Sequence, residues 1–307
     1  METLTIFTPT YNRAKFLPKA FEALKRQTLK DFLWMIIDDG STDKSAMILD
    51  KYSQCNNIKI IHQQNMGISA ARNIALKNIC GNYLMFVDSD DILPDNTIET
   101  LMNLAEEKNA DIVEGQYKSF ISDDEIDIHK HERFQSSNLT KLNGYAWGKI
   151  ISSEKLLNLA FPKGYEYEDT IISTLLIPSC KKIYVTNDVT YYYRKNEQGI
   201  TSALYNRKSS IDTLYITLYC FAEALNRNYK ISVEDYLKQV RLNWIRTKNM
   251  PHDVRKAIFI VEVDFFEKNY KIDKTIKKSN LLKLQKTLQK HSYLGFKWIM
   301  NYWEILG

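Results

Sequence analysis

The sequence predicts an α/β protein: a layer of strands and helices over the first two hundred residues, followed by an all-helical unit. Three observations carry this. Four apolar runs of strand length alternate with segments of helical period up to residue 108, the pattern of an α/β layer with a parallel sheet. Polar clusters follow three of those runs, at the strand ends where such sheets bind ligands. Near Ser202 the texture changes to helical period that continues to the end of the chain.

Leu4-Thr5-Ile6-Phe7-Thr8 reads as the first strand, broken by Pro9-Thr10-Tyr11-Asn12. Phe16, Leu17, Ala20, Phe21 and Leu24 then recur at helical spacing. Phe32 to Ile37 is a wholly apolar strand, the kind buried on both faces of a parallel sheet, and it ends in Asp38-Asp39-Gly40-Ser41-Thr42-Asp43. A helix to about Tyr52 leads to a third strand, Ile58 to Ile61. The loop Asn65 to Ser69 opens a helix from Ala70 to about Asn78. Tyr83 to Val87 is the fourth strand. After Asp91 a helix to about Lys108 turns Ile98, Leu101, Met102 and Leu104 inward, and Asp111 to Gly115 is another short strand. Ser122 to His131 reads as an acidic, mobile loop. Leu142 to Leu157 reads as a Trp147-Gly148-Lys149 turn with an amphipathic helix. An apolar helix from Ile171 is stopped by Pro178, and Ile183 to Val185 and Val189 to Arg194 read as two closing strands. Helices then follow from Ile211, from Ser232 to Pro251, and over 254–266, 276–288 and 293–306.

With 307 residues, 44% hydrophobic and 26% charged, the chain can bury a sizeable core in one or two domains. A net charge of +5 does not by itself point to nucleic acid, and none is expected as a partner. Cys55, Cys80, Cys180 and Cys220 are far apart, which reads as reduced, buried thiols in a cytosolic protein. The acidic, strand-like start is unlike a signal peptide, and no segment has the roughly 18 apolar residues of a membrane span. The expectation is a cytoplasmic protein, soluble or peripheral at the inner face of the membrane.

The chemistry concentrates in Asp88-Ser89-Asp90-Asp91, directly after the fourth strand. Carboxylates at i and i+2 beyond a strand end converge on one small volume and repel unless a cation lies between them. Mg2+ and Mn2+ prefer oxygen ligands, and Mg2+ usually takes one or two carboxylates plus substrate phosphates. A metal-bridged diphosphate is thus the simplest function, and a plain acidic turn the alternative.

Taken together, Thr8 to Asn12, Asp38 to Asp43, Asn65 to Asn73 and Asp88 to Asp91 resemble the family 2 glycosyltransferases. The likeness is close over residues 1–115 and extends to about 200 through Glu168-Asp169. It implies the GT-A fold, a Rossmann-like mixed sheet, over 1–202. Residues 1–115 would form its nucleotide-sugar half, 116–202 its acceptor half, and 203–307 an added helical domain. It also implies inverting transfer of a hexose-type sugar from a UDP-sugar to a glycan acceptor, with Mn2+ or Mg2+. Carried over by motif, Thr8, Pro9 and Tyr11 would line the uracil pocket, and Asp39 would accept the uracil N3 proton. Asn65 and Ser89 stand in the same motifs. Arg72 would reach toward the base or diphosphate. Asp88 would hold the ribose side, and Asp90, with Asp88, the metal. Asp169, with Glu168 as runner-up, would deprotonate the acceptor. Trp147 and Lys149 fit a place in the acceptor or donor-sugar wall, with a core Trp as the alternative. Many relatives have a further metal or phosphate ligand after the Tyr-rich strand, often a His. Here Arg194, Lys195, Gln198 and Ser202 are the candidates.

Structural alternatives stay open: Asp38 and Asp43 as helix caps, Arg72 paired with an acid, Tyr11 as packing, and Asp91 as a structural acid. The tail has a lysine-rich stretch, Lys268 to Lys290, and an aromatic one, Tyr293 to Trp303. These read as a solvated face over an aromatic core, as a peripheral membrane contact, or as a partner-protein surface. Two other functions compete: a catalytically silent partner of another transferase, and a sugar nucleotidyltransferase. The latter would need a Gly-rich basic loop that Thr8 to Asn12 is not.

Overall fold

A computed structural model describes residues 3–134, 142–196, 211–277 and 279–305. Two compact units emerge. One comprises Met1–Gly164 with Ile171–Glu197, the other Tyr165–Thr170 with Gln198–Gly307.

The first unit is built on seven strands: β1 (Leu4–Thr10), β2 (Phe32–Asp38), β3 (Ile58–His62), β4 (Tyr83–Phe86), β5 (Ile112–Phe120), β6 (Lys149–Ser152) and β7 (Ile183–Arg194). Their order in the sheet is β3-β2-β1-β4-β6-β5-β7. The first four run parallel, joined by helices α1 (Leu17–Arg26), α2 (Ser45–Tyr52) and α3 (Ile68–Lys77), with α4 (Thr97–Lys108) following β4. The central strands are buried on both faces: Ile6, Phe7, Met35, Ile36, Ile37, Leu84 and Met85 are fully buried.

β6 was not expected. It lies antiparallel to both β4 and β5 and makes the sheet mixed. Only Ile150 and Ile151 form its apolar run, too short for periodicity to separate from a helix. A single helical turn, Ser153–Leu156, follows it. The two closing strands are one, β7, parallel to β5 with register shifts around Gln116. The acidic loop after β5 holds a 3-10 turn, Asp123–Glu125, closed by a capping box from Ser122. It is tied down through Asp123, which pairs with Lys19 and Arg194.

The parallel set delivers the loops after β1, β2 and β4 to one edge. β6 begins at that edge, and β5 and β7 end there. Residues from six strands therefore converge beyond the carboxyl end of β4, the crevice position favoured for ligands in open α/β sheets.

In the second unit, helices Asp212–Asn226, Val233–Arg246, His252–Asn269, Ser279–Gln289 and Tyr293–Ile305 pack around Phe221, Tyr236, Val240, Phe259, Leu284 and Phe296. Ser232 caps the second of these, its hydroxyl accepting from the amide of Asp235 (3.1 Å). The aromatic run of the last helix divides: Phe296 is buried, whereas Trp298 and Tyr302 lie stacked at the surface, 5.6 Å apart. Among the described residues no helix is long and apolar enough to cross a membrane. All four cysteines are free thiols; Cys55 and Cys80 are exposed, contrary to the expectation of burial.

Candidate active site

Asn12 stitches the β1 and β2 loops together. Its φ of 53° is a left-handed conformation that Asn tolerates. There its Oδ1 accepts from the amides of Thr42 (2.8 Å) and Asp43 (3.2 Å), and its own amide donates to Ser41 Oγ (2.9 Å). Asp43 accepts from Ser45 N (2.8 Å) and Ala14 N (3.2 Å), and Asp38 accepts from Ser41 N (3.1 Å). Asp43 thus holds the entry to α2, whereas Asp38 serves the loop and pairs with His62 Nδ1 (2.9 Å), so the helix-cap alternative does not describe its contacts. Gly40 has φ +73°, and a Cβ there would come within 2.8 Å of Asn65 N, so the chain can pass only as glycine.

Asp39 is nearly buried, and its carboxylate ties the next loop in: it accepts from Gln63 Nε2 (2.5 Å), Met66 N (2.9 Å) and Gly67 N (2.8 Å). A carboxylate offers about four lone-pair sites, so three donors leave room for one more. Tyr11 is 43% exposed. The Thr8 hydroxyl, by contrast, accepts from Trp34 Nε1 (2.9 Å) inside the layer, so this side chain is committed to the fold. Pro9 is half-buried and Asn65 exposed.

The acidic turn follows directly on β4. Asp91 is buried and held by two donors, Tyr191 Oη (2.7 Å) and the Arg194 amide (2.7 Å). Burial, then the charges of Asp88 and Asp90, push its carboxyl well above the usual range, while those two hydrogen bonds pull the other way. Tyr191 Oη also accepts from the Asp88 amide (3.1 Å), so one ring fixes both ends of the turn. Ser89 is buried beneath. Asp90 is partly exposed and faces the Arg13 guanidinium, Nε to Oδ2 3.8 Å. Arg194, a candidate for the diphosphate, is spent internally: Nε donates to the Asp90 carbonyl (2.7 Å) and Nη2 to Asp123 (2.6 Å), with Phe120 against its plane (4.3 Å). It is a positioning residue for Asp90. Gln198 and Ser202 lie outside the described residues.

Among the described residues no three His, Cys, Asp or Glu side chains are grouped to hold a metal. Among them Asp88 and Asp90 stand at the end of β4, Asp90 beside Arg13, with no wider cage. That donor set fits a hard divalent cation completed by phosphate oxygens.

Of the two places left open for Trp147 the structure shows the core one, and Lys149 lies in the interior as well. Lys149 is fully buried. Its ammonium pairs with Glu114 (3.1 Å) and donates to Asn143 Oδ1 (2.9 Å) and to the carbonyls of Tyr145 (2.6 Å) and Trp147 (3.0 Å). Trp147 is buried among rings: it stacks on Tyr145 (4.7 Å), Tyr191 (4.6 Å) and Tyr193 (5.1 Å), with Tyr117 edge-on (5.1 Å).

Arg72 is buried on α3 with its guanidinium over Phe161 (5.2 Å) and Phe86 (6.0 Å). Glu168, buried, and Asp169, half-buried, lie on Tyr165–Thr170, the short stretch that belongs to the helical unit. There Tyr165 stacks on Tyr215 (4.0 Å), and the Glu166 amide donates to Asp212 (3.0 Å).

Sequence reasoning missed Asn12, Arg13 and Tyr191. Tyr191 carried a readable signal: in Tyr191-Tyr192-Tyr193 strand alternation puts the outer two rings on one face.

Residues 5–161 match the family described as Glycosyl transferase family 2. "Glycosyltransferase GlyG" of Streptococcus pneumoniae is 31% identical over 220 residues, 65% of this chain and 73% of that protein. Among solved structures, S. aureus TarS 1-349 in complex with UDP-GlcNAc superposes with TM-score 0.75 at 18% identity, over 98% of this chain and 91% of that one. A mannosyltransferase from Pyrobaculum calidifontis, in complex with GDP-Man and Mn2+, gives TM-score 0.56 at 13% identity, over 97% and 84%. The fold is the expected GT-A fold with C-terminal helices.

Proposed function

The chain belongs to glycosyl transferase family 2, and from that premise we propose that it moves a hexose-type sugar from a UDP-sugar to a glycan hydroxyl, with inversion at the anomeric carbon. The observation that carries this reading is the Asp88–Asp90 pair, held rigidly at the carboxyl end of β4 beside the Asn12-stitched loops. Asp90, with Asp88, would hold Mn2+ or Mg2+ against both phosphates; when bound, the cation supplies Lewis-acid stabilisation of the departing diphosphate. Tyr11 would lie on the uracil ring, Asp39 would accept from its N3–H with its remaining lone pair, and Asp88 would also take a ribose hydroxyl. Arg72, next to the same loop, adds positive charge behind the nucleotide. Ligands bound by the structural neighbours, UDP-GlcNAc in one and GDP-Man with Mn2+ in the other, support a nucleotide-sugar donor and a divalent cation.

Asp169 would take the proton of the acceptor hydroxyl as its oxygen bonds to the anomeric carbon. The bond from that carbon to the β-phosphate oxygen breaks, and its electron pair leaves with UDP. Trp298, Tyr302 and the lysines of the helical unit would attach the protein to an anionic membrane surface. Between Lys268 and Lys297 the sequence has nine lysines and one acid.

The donor half is tested by calorimetry of UDP with and without Mn2+. UDP should bind in Mn2+, and Asp90→Ala should weaken it at least about tenfold; unchanged affinity in the variant refutes the metal assignment. The base is tested on Asp169→Asn, expected to keep UDP affinity and lose about 10²- to 10⁴-fold of transfer.

A further inference from the structure

The sheet order puts β4 and its acids at a divide. On one side lie β1, β2 and the loops read as the nucleotide site; on the other lie β6, β5 and β7. That second side presents a pile of rings. Tyr191 and Tyr193 from β7 lie parallel to Trp147, at 12° and 13°, and Trp147 lies parallel to Tyr145, at 7°. Tyr117, from β5, stands at right angles to Tyr145 (6.5 Å). The pile runs from the acids to the surface. At its inner end the Tyr191 hydroxyl holds Asp91 and the Asp88 amide; at its outer end Tyr145 is 45% exposed and Tyr117 39%.

The pile is also rigidly built. The turn that carries Tyr145 and Trp147 is gathered from below by the buried Lys149 ammonium, which takes the carbonyls of both residues. Glu114 adds a bond from the Asn143 amide (2.9 Å) at the start of the same turn. Gly148, φ +77°, lets the chain double back directly under the rings. A fully buried ammonium is expensive to desolvate, and here the ion pair fixes the turn that leaves the Tyr145 ring at the surface.

We propose that Tyr145, with Tyr117 as a side wall, is a docking platform for a pyranose ring of the glycan acceptor. A flat ring matches the C–H face of a pyranose, and the perpendicular Tyr117 gives the cleft a corner that would orient it. Tyr145 sits two ring spacings from the tyrosine that fixes the acids, so a glycan stacked on it would approach the donor site from the side opposite the nucleotide loops. This rests on the glycosyltransferase reading for its purpose, but its test does not need transfer.

Saturation-transfer NMR with cellotetraose, chitotetraose and maltotetraose reads glycan binding without donor. On the wild type at least one of the three should take up saturation along one sugar face. Tyr145→Phe, which keeps the ring, should retain it. Tyr145→Leu, which keeps apolar bulk without a ring face, should weaken it about tenfold. UDP affinity in Mn2+ should be the same in all three proteins, which separates failure of the platform from failure of the donor reading. No saturation from any of the three oligosaccharides on the wild type, or equal saturation on Tyr145→Leu, overturns the platform. A parallel loss of UDP binding in Tyr145→Leu does so as well, since the ring would then be structural support for the acids.

Discussion

Lys149→Met is the most informative single change in the first unit. Methionine nearly fills the aliphatic volume but removes an ammonium with four partners: Glu114, Asn143 and the carbonyls of Tyr145 and Trp147. Glu114 is left 3% exposed with the Asn143 amide as its remaining donor among these contacts. Breaking a buried pair by deleting one partner costs about 3–5 kcal/mol, a large share of the 5–15 kcal/mol or so that stabilises a domain. The loss should depend on pH, and its sign follows from Glu114. Burial already raises this carboxyl above its ordinary value, an effect that Lys149 offsets; without Lys149 it rises further. A group whose folded pKa exceeds its unfolded one binds protons preferentially in the folded state, so stability falls as pH climbs through that window. The variant should thus lie closest to wild type near pH 5 and furthest from it above pH 7. Adding Glu114→Gln should restore much of the loss, because a neutral amide needs no counter-charge. Urea unfolding followed by circular dichroism at several pH values measures all three proteins. A loss below about 1 kcal/mol at pH 7 would refute the reasoning, given the range for buried pairs. So would a loss unchanged between pH 5 and 8.

Other outcomes follow from single contacts. Glu262 is fully buried in the helical unit, and desolvation pushes its carboxyl up to about 8 against one hydrogen bond from Asn243 (2.9 Å). Wild-type stability should therefore fall as pH rises from about 5 to 8, by up to about 1.4 kcal/mol per unit, and Glu262→Gln should flatten that slope; parallel curves for the two proteins would rule this out. If Asp39 reads uracil N3–H, CDP should bind at least about tenfold more weakly than UDP, because cytosine leaves the carboxylate facing an acceptor; equal affinities by calorimetry would refute it. Vesicles containing phosphatidylglycerol should bind the wild type in a salt-sensitive way, and Leu294→Ala with Trp298→Ala and Tyr302→Ala should reduce sedimentation about tenfold. Equal binding to neutral vesicles would count against the anionic surface.

What the sequence allowed to be read, and what it hid, divides along physical lines. β1 to β4 and α1 to α4 were legible because apolar runs and helical period stood in long segments bounded by Pro, Gly and Asp clusters. β6 was not: four residues with two isoleucines carry no period, and only pairing with β4 and β5 makes them a strand. At the site, motif order put forward Asp39, Asp88 and Asp90 as candidates but could not show which side chains the fold had already engaged. Thr8 is engaged by Trp34, Arg194 by Asp123 and the Asp90 carbonyl, and Lys149 by Glu114. These are contacts between residues 26 to 104 positions apart, and no local pattern records them. Asn12 was closer to legible, since Asn after an aromatic in a Pro-broken loop is a standard candidate for positive φ.

The acidic turn also explains why so much of the surrounding framework is devoted to three residues. Three carboxylates within four positions repel, and a free loop would splay to separate them. Here it cannot. Asp91 is gripped by Tyr191 and the Arg194 amide, the Asp88 amide by the same Tyr191 hydroxyl, and the Asp90 carbonyl by Arg194 Nε. Folding therefore bears the repulsion in advance, and Arg13, 3.8 Å from Asp90, offsets part of it. If a cation binds here with a diphosphate, as proposed, the backbone of the turn is already fixed, so little reorganisation would oppose it. Asp90→Ala should then lose nucleotide affinity in Mn2+ while the ligand-free protein melts no lower than wild type, because a repulsive charge has gone. Asp91→Ala should do the reverse of a simple ligand deletion: it removes the acceptor that Tyr191 and Arg194 share, so the protein itself should be destabilised. The two neighbouring acids would thereby separate into one that binds and one that holds the binder in place.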